Sequence, residues 1–303
     1  MNTIEAWRNF NMGKELHVSG NFIYDGLRNF DEMHSLDDTT EVFNVMYLLS
    51  VGIERLQKVC IILSLPEDDV KGELFVNKIK HHNHVSLMES INDLQNVKLK
   101  PNEHAFLNLL NKFYNQLRYG RYSMEDFHLE DEKKDFLQFL NRLGVDENPF
   151  GLLNNDRIKR FLGKIVGGIC EKLYNLIKEE CRILNLYTYE TNYNSKAFKV
   201  FEEKRYTFFA ERQALKELII YCFNEESFEM FREAIKKIDH LDLDVQSLKP
   251  LETYFEKKEL TETVQYFYSE LTNQERKHRQ EVLDLLSDES TDWDLLYQFL
   301  KAT

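Results

Sequence analysis

Between Phe113 and His128 the chain reads FYNQLRYGRYSMEDFH, and this stretch gathers the residue types with most capacity for chemistry. Arg118 and Arg121 each present a planar fork of donors, permanently charged and matched to phosphate oxygens. Tyr119 and Tyr122 offer rings on which bases can stack. His128 changes protonation near neutral pH, as a general acid or base must. Metal-free cleavage of a phosphodiester needs these parts: one group deprotonates the attacking 2′-hydroxyl, and a cation stabilises the charge on the pentacoordinate phosphorus. The same residues also satisfy a purely structural reading. Arginines at a helix C-terminus are favoured by its dipole and pair with carboxylates such as Glu125 or Asp126, and His128 can cap the next helix.

Other chemistries lack their parts. Neither GxGxxG nor GxxxxGK[ST] occurs, which removes the common phosphate-cradling loops, and HExxH and G-x-S-x-G are absent too. The cluster HHNH, with His81, His82 and His84, suggests a metal, but no Cys or second histidine pair stands at a supporting spacing, so it reads as a polar helix start. No metal and no cofactor are expected. The formal charge of −13 and pI of about 5.3 argue against binding nucleic acid through a general field, so such a contact must rest on a local basic patch. Six carboxylates and no Lys or Arg fall between Glu281 and Asp294, which reads as a solvated face or an acidic docking site.

The elements that must position these residues read as helices. Only four prolines occur, at 66, 101, 149 and 250, each between helical patterns, and no glycine follows Gly168. A stretch without glycine is a poor source of tight β-hairpins and suits helices joined by short polar turns. Phe106, Leu110, Phe113 and Leu117 form one apolar stripe, on a helix that Pro101 can begin and Gly120 can close. Ile158, Leu162, Ile165, Ile169, Leu173 and Leu176 form another, with Asn154, Asn155 and Asp156 as cap candidates and Gly167 and Gly168 as an interruption where another helix crosses closely. Further helices are predicted at about 14–30, 40–64, 67–80, 84–97, 131–143, 196–223, 225–239, 245–258, 260–287 and 292–301, the last behind a capping box of Thr291 and Asp294. The expectation is an all-α chain, a bundle over 1–190 with a C-terminal helical region over 191–303.

Cys60, Cys170, Cys181 and Cys222 lie inside apolar helical patterns with no Cys-x-x-Cys, as buried reduced thiols of a cytosolic protein would. The run from Val42 to Ile53 is too short to span a bilayer and meets Glu54 and Arg55, so it reads as a buried helix. The N-terminal MNTIEAWRNFNMGKEL has no apolar signal-peptide core. A cytoplasmic protein with no membrane association is expected.

Three passages resemble the HEPN superfamily, the all-helical domains of toxins, CRISPR effectors and RNA-processing nucleases. LLSVGIERLQKVCIIL looks like the family helix in which an apolar face is followed by Glu and then Lys. HHNHVSLMESI is similar to the short segment of His and then Leu that follows, and FLNLLNKFYNQLRYGRY to the helix ending in Arg-Tyr. The likeness covers about residues 40–190. It implies a HEPN-like bundle and metal-independent RNA cleavage, with His128 activating the 2′-hydroxyl, Arg121 or Arg118 holding the phosphate, and Tyr119 and Tyr122 in the substrate surface. It further implies a homodimer with the site built from two facing copies, in a toxin or phage-defence setting; residues 196–303 are unmatched and open to holding a protein partner, gating the site or extending the dimer. The alternative is a non-catalytic helical module that binds protein or nucleotide, to which the acidic surface is suited.

Overall fold

In a computed structural model of the chain, the described residues are 2–33, 35–70, 75, 79–122, 124, 131–141, 153–209, 266 and 268–277, with the backbone alone for residues 120, 121 and 131. The protein divides into two compact units, Met1–Phe208 and Phe209–Thr303. Among the described residues every regular element is helical, as expected, and an isolated bridge between Ser35 and Leu153 is the one strand-like pairing. No helix among them is long and apolar enough to cross a membrane.

The first unit begins earlier than the apolar pattern suggests. A capping box of Asn2 and Glu5 starts α1, Thr3–Trp7. It continues through a π-helical turn, Arg8–Met12, into α2, Gly13–Glu32. The extra residue in that turn rotates Arg8 inward, where it is buried and donates to the Leu65 carbonyl. α3, Thr39–Ser64, starts on Asp38, whose side chain accepts from Thr40 and Glu41, and runs through the middle of the unit. Its apolar residues face several neighbours at once: Val45, Leu49, Ile53, Leu56 and Cys60 are fully buried. Small residues bring α2 and α3 together, since Ser19 Oγ donates to the Gly52 carbonyl at 2.7 Å and Gly52 lies against Ile23.

Around α3 stand α4 (His84–Leu94), α5 (Pro101–Asn115), α6 (Asp131–Leu140) and α7 (Asp156–Leu184). The predicted stripe of α5 is the buried one: Phe106, Leu110, Phe113 and Leu117 all lie in the core. The α-helix ends at Asn115, however, five residues before Gly120, and the chain tightens into a 3-10 turn, Leu117–Tyr122. α7 begins as its sequence suggests, with Asn155 Oδ1 accepting from Arg157 and Ile158 at 3.0 and 3.1 Å. Asn154, the neighbouring cap candidate, turns instead to the far end of α2 and donates to the Phe30 and Met33 carbonyls.

Gly167 and Gly168 do not interrupt α7. A side chain at Gly167 would meet the ring of Tyr206, and one at Gly168 would meet the Glu103 carboxylate. The helix predicted for 196–223 stops after α8, Lys196–Phe201, where Lys204 takes a left-handed φ of 54° and residues 204–208 form an irregular strap. Tyr206 on that strap fills the groove over Gly163 and Gly167. Because Ala197, Val200, Phe201 and Phe208 are buried in the core, the first unit extends beyond residue 190.

In the second unit the helix predicted for 260–287 is broken at Leu271 and Thr272. Thr272 and Glu275 form a capping box there, with Thr272 N donating to Glu275 Oε2 at 2.8 Å and Glu275 N to Thr272 Oγ1 at 3.3 Å. The predicted helices at 225–239, 245–258 and 292–301, the acidic run from Glu281 to Asp294, and Cys222 lie outside the described residues. Cys60, Cys170 and Cys181 are buried thiols, and burial raises each above its ordinary pKa.

Candidate functional site

The predicted site residues fall on the 3-10 turn that follows α5. Arg118 extends back along the helix end, its guanidinium carbon 3.8 Å from the centre of the Tyr114 ring and 4.4 Å from that of Tyr119. Its Nη2 donates to Tyr119 Oη at 2.6 Å. Stacking between two aromatic faces holds a guanidinium without neutralising it. Among the described residues Arg118 has no carboxylate partner, and its buried Nε–H finds no acceptor. Tyr119 and Tyr122 are both exposed, the latter at 87%. The backbone of Arg121 lies in the same turn, while its side chain and the whole of His128 lie outside the described residues, as do Glu125 and Asp126.

The structure adds a second group to this corner. α3 carries Glu54 and, one turn on, Lys58, whose Nζ donates to Glu54 Oε1 at 2.7 Å. His82, in the segment before α4, places Nδ1 at 3.1 and 3.0 Å from the two Glu54 oxygens. A carboxylate only accepts, so Nδ1 carries a proton and Nε2 is the nitrogen left without a hydrogen bond among the described residues. Glu54 is 8% exposed and His82 48%. Burial alone would raise the Glu54 pKa, but Lys58 and His82 together outweigh burial and hold the carboxyl below its ordinary range.

Tyr114 joins the two groups. The His82 and Tyr114 rings lie 4.9 Å apart, and the Arg118 guanidinium carbon lies 3.8 Å from the centre of the same phenol ring. Imidazole and guanidinium therefore both pack against one aromatic ring. Tyr47 of α3 extends the aromatic surface, with its ring 6.3 Å from that of Tyr114 and nearly parallel. Burial raises the Tyr114 hydroxyl above its ordinary pKa against the opposing charge of Arg118, so it is a neutral donor. Asn115 closes the corner, its Nδ2 donating to the His82 carbonyl at 3.3 Å.

Asn83 caps α4, its Oδ1 accepting from Val85 and Ser86 at 3.0 Å, and this fixes the histidines of HHNH in different surroundings. His84 is buried and pairs with Gln57: Nδ1 lies 3.1 Å from Gln57 Oε1, and Gln57 Nε2 donates to the His84 carbonyl at 2.9 Å. Burial pushes its pKa down to about 4, so it is neutral. Among the described residues no group of three or more His, Cys, Asp or Glu is placed to hold a metal. Glu54 was not among the candidates read from sequence, and His82 was weighed there only as a metal ligand and set aside as part of a polar helix start. The signal lay in the Glu-to-Lys helix and the His segment, which served there as marks of resemblance. Comparison with known protein families, curated proteins and solved structures finds no match.

Proposed function

We propose that this protein is a HEPN-like, RNA-targeting effector that cleaves RNA without a metal, with Arg118 binding the scissile phosphate. The observation that carries this reading is the Arg118 guanidinium itself, stacked on Tyr114 and Tyr119 and lacking a carboxylate partner among the described residues. A cation held by rings keeps its charge for an incoming anion, and the exposed Tyr119 and Tyr122 offer faces to flanking bases. The strongly acidic composition makes such a local patch necessary, because the overall field repels a polyanion. In this reading Arg121 adds a second phosphate contact and His128 deprotonates the 2′-hydroxyl, as the resemblance implies. It also implies a homodimer with facing copies, acting in a toxin or phage-defence setting.

The test is cleavage of labelled single-stranded RNA by the purified chain in EDTA. Wild type cleaves, and Arg118→Ala lowers the rate by about a hundredfold, as removal of one preorganised donor to a charged transition state does. His128→Ala abolishes cleavage and relieves growth arrest on expression. Intact RNA after prolonged incubation, with a folded protein, would replace this reading by a non-catalytic binding module.

A further inference from the structure

We propose that Tyr47 is a base-stacking residue of this site, so that the RNA held at Arg118 is unpaired at the nucleotide that rests on α3. The proposal rests on the RNA-binding reading above and deepens it, by extending the substrate surface from the 3-10 turn to a second helix.

A run of rings in contact carries it. Phe43 and Tyr47, four residues apart on α3, have ring centres 6.3 Å apart and planes within 5° of parallel. The Tyr47 ring lies 6.3 Å from that of Tyr114 on α5, with 17° between the planes. Tyr114 carries the Arg118 guanidinium carbon at 3.8 Å, and that carbon lies 4.4 Å from the Tyr119 ring. The Tyr47 ring and the guanidinium are thus no farther apart than 6.3 and 3.8 Å laid end to end, a reach that a few nucleotides of one strand cover. Exposure singles out the residue. Tyr114 is 9% exposed and Phe43 packs edge-on against Phe113 at 5.2 Å, whereas Tyr47 is 37% exposed. The inner rings hold the outer one in place, and a ring already held gives up little freedom when a base settles on it. No hydrogen bond holds the Tyr47 hydroxyl among the described residues, so the flat face is what the position offers. Charge agrees. Arg118 has no carboxylate partner among the described residues, and Glu54, whose charge acts on Tyr114, is bound by Lys58 at 2.7 Å.

Aromatic faces beside an arginine are the parts of a single-strand platform: the cation takes the backbone and the rings take successive bases. Every base has a π-face, so such a platform is tolerant of sequence and demands only that the base be free. A base inside a duplex has its faces covered by its neighbours and cannot settle on Tyr47; an unpaired one can. Tyr47 touches no reacting atom in this arrangement. It is a positioning residue that fixes the strand at a second point while Arg118 fixes the first.

The test is binding, read by fluorescence anisotropy with a labelled single strand carrying 2′-fluoro sugars, which lacks the attacking hydroxyl and stays whole. Tyr47→Ala and Tyr47→Leu should each weaken binding by about 5–150-fold, the range for one stacked base, while Tyr47→Phe keeps the ring and should bind as wild type does. On a strand of equal length that is abasic throughout, the Tyr47 variants should match wild type, and Arg118→Ala should bind more weakly than wild type on both strands. Circular dichroism and thermal melting establish that each variant is folded. If Tyr47→Ala and Tyr47→Leu bind the base-bearing strand like wild type, or lose as much on the abasic one, the stacking assignment is overturned while the Arg118 contact stands. If wild type binds neither strand, the assignment falls, and cleavage of labelled RNA in EDTA decides the nuclease reading by itself. If the expected binding pattern is found and RNA stays intact, Tyr47 keeps its role and the nuclease reading alone is lost.

Discussion

Two carboxylates of the first unit, Glu54 and Glu103, share a description and differ in what they leave open. Each is nearly buried, at 8% and 3% exposure, and each binds a lysine, Lys58 or Lys172. Glu103 spends its other capacity on the backbone: it accepts from Lys100 N at 2.6 Å, caps α5 and sits in the space that Gly168 provides on α7. All its partners belong to the fold. Glu54 gives its remaining capacity to His82, a ring half in water. A buried anion held entirely by backbone and lysine fastens two helices. One that holds an exposed histidine can orient a proton. The difference lies in the exposure of the partner, and burial of the acid is common to both.

Truncation should separate them most widely. Glu103→Ala leaves Lys172 beside a buried void and removes the cap of α5, so it should cost about 3–5 kcal/mol, the range for breaking a buried pair from one side. Glu54→Ala should cost about 1–2 kcal/mol less, the worth of the helix cap that Glu103 makes and Glu54 does not, yet it should lower RNA cleavage by freeing the His82 ring that packs on Tyr114. Denaturant titration and initial rates give both numbers. Equal destabilisation with unchanged cleavage would erase the distinction.

Acid should act on the Glu54 corner first, through His84. Its folded pKa of about 4 lies below its ordinary value of 6.5, so between these values the unfolded chain binds a proton that the folded one refuses. Its contribution is complete above pH 6.5 and is lost as pH falls toward 4, on the order of 3 kcal/mol in all. Glu54 follows lower, since its depressed pKa gives stability that is present above its ordinary 4.5 and lost as pH drops through the folded value. Urea midpoints measured from pH 7 to 4 should fall in wild type and stay nearly level in His84→Gln.

The helices of the first unit were legible because burial writes itself into period: Phe106, Leu110, Phe113 and Leu117 are apolar in the sequence and interior in the structure. Two kinds of feature escaped. Helix ends set by tertiary contacts carry no local mark, so nothing in EEKRYT announces that Tyr206 must cover Gly163 and Gly167 and that α8 stops to let it. A second kind was written but passed over, as with Thr272 and Glu275, a T-x-x-E box inside an apparently continuous helix. The site divides likewise. Arg118, Tyr119 and Tyr122 fall within five residues and can be found by composition, whereas Glu54, His82 and Tyr114 are dispersed over three segments and meet only when α3, the segment before α4, and α5 pack.

Glycine provides the finest test, since a single methyl can be placed on one side of the comparison. At Gly168 a Cβ would press on the Glu103 carboxylate, which is fixed by the α5 cap and Lys172 and has little room to give. Gly168→Ala should therefore destabilise by about 1–3 kcal/mol, the cost of overpacking, although alanine is the better helix former. Gly13 offers the opposite case: its φ is −60°, and a Cβ there would meet only the Thr188 carbonyl at 3.7 Å, an ordinary contact. Gly13→Ala should stabilise by about 0.5–1 kcal/mol through loss of backbone freedom in the unfolded chain. Neither methyl touches the Glu54–His82 pair, so the cleavage rate at a temperature where all three proteins are folded should be the same. A rate that fell with Gly168→Ala but held with Gly13→Ala would mean that the Glu103 corner communicates with the site through α5, and the two carboxylates could no longer be treated as independent.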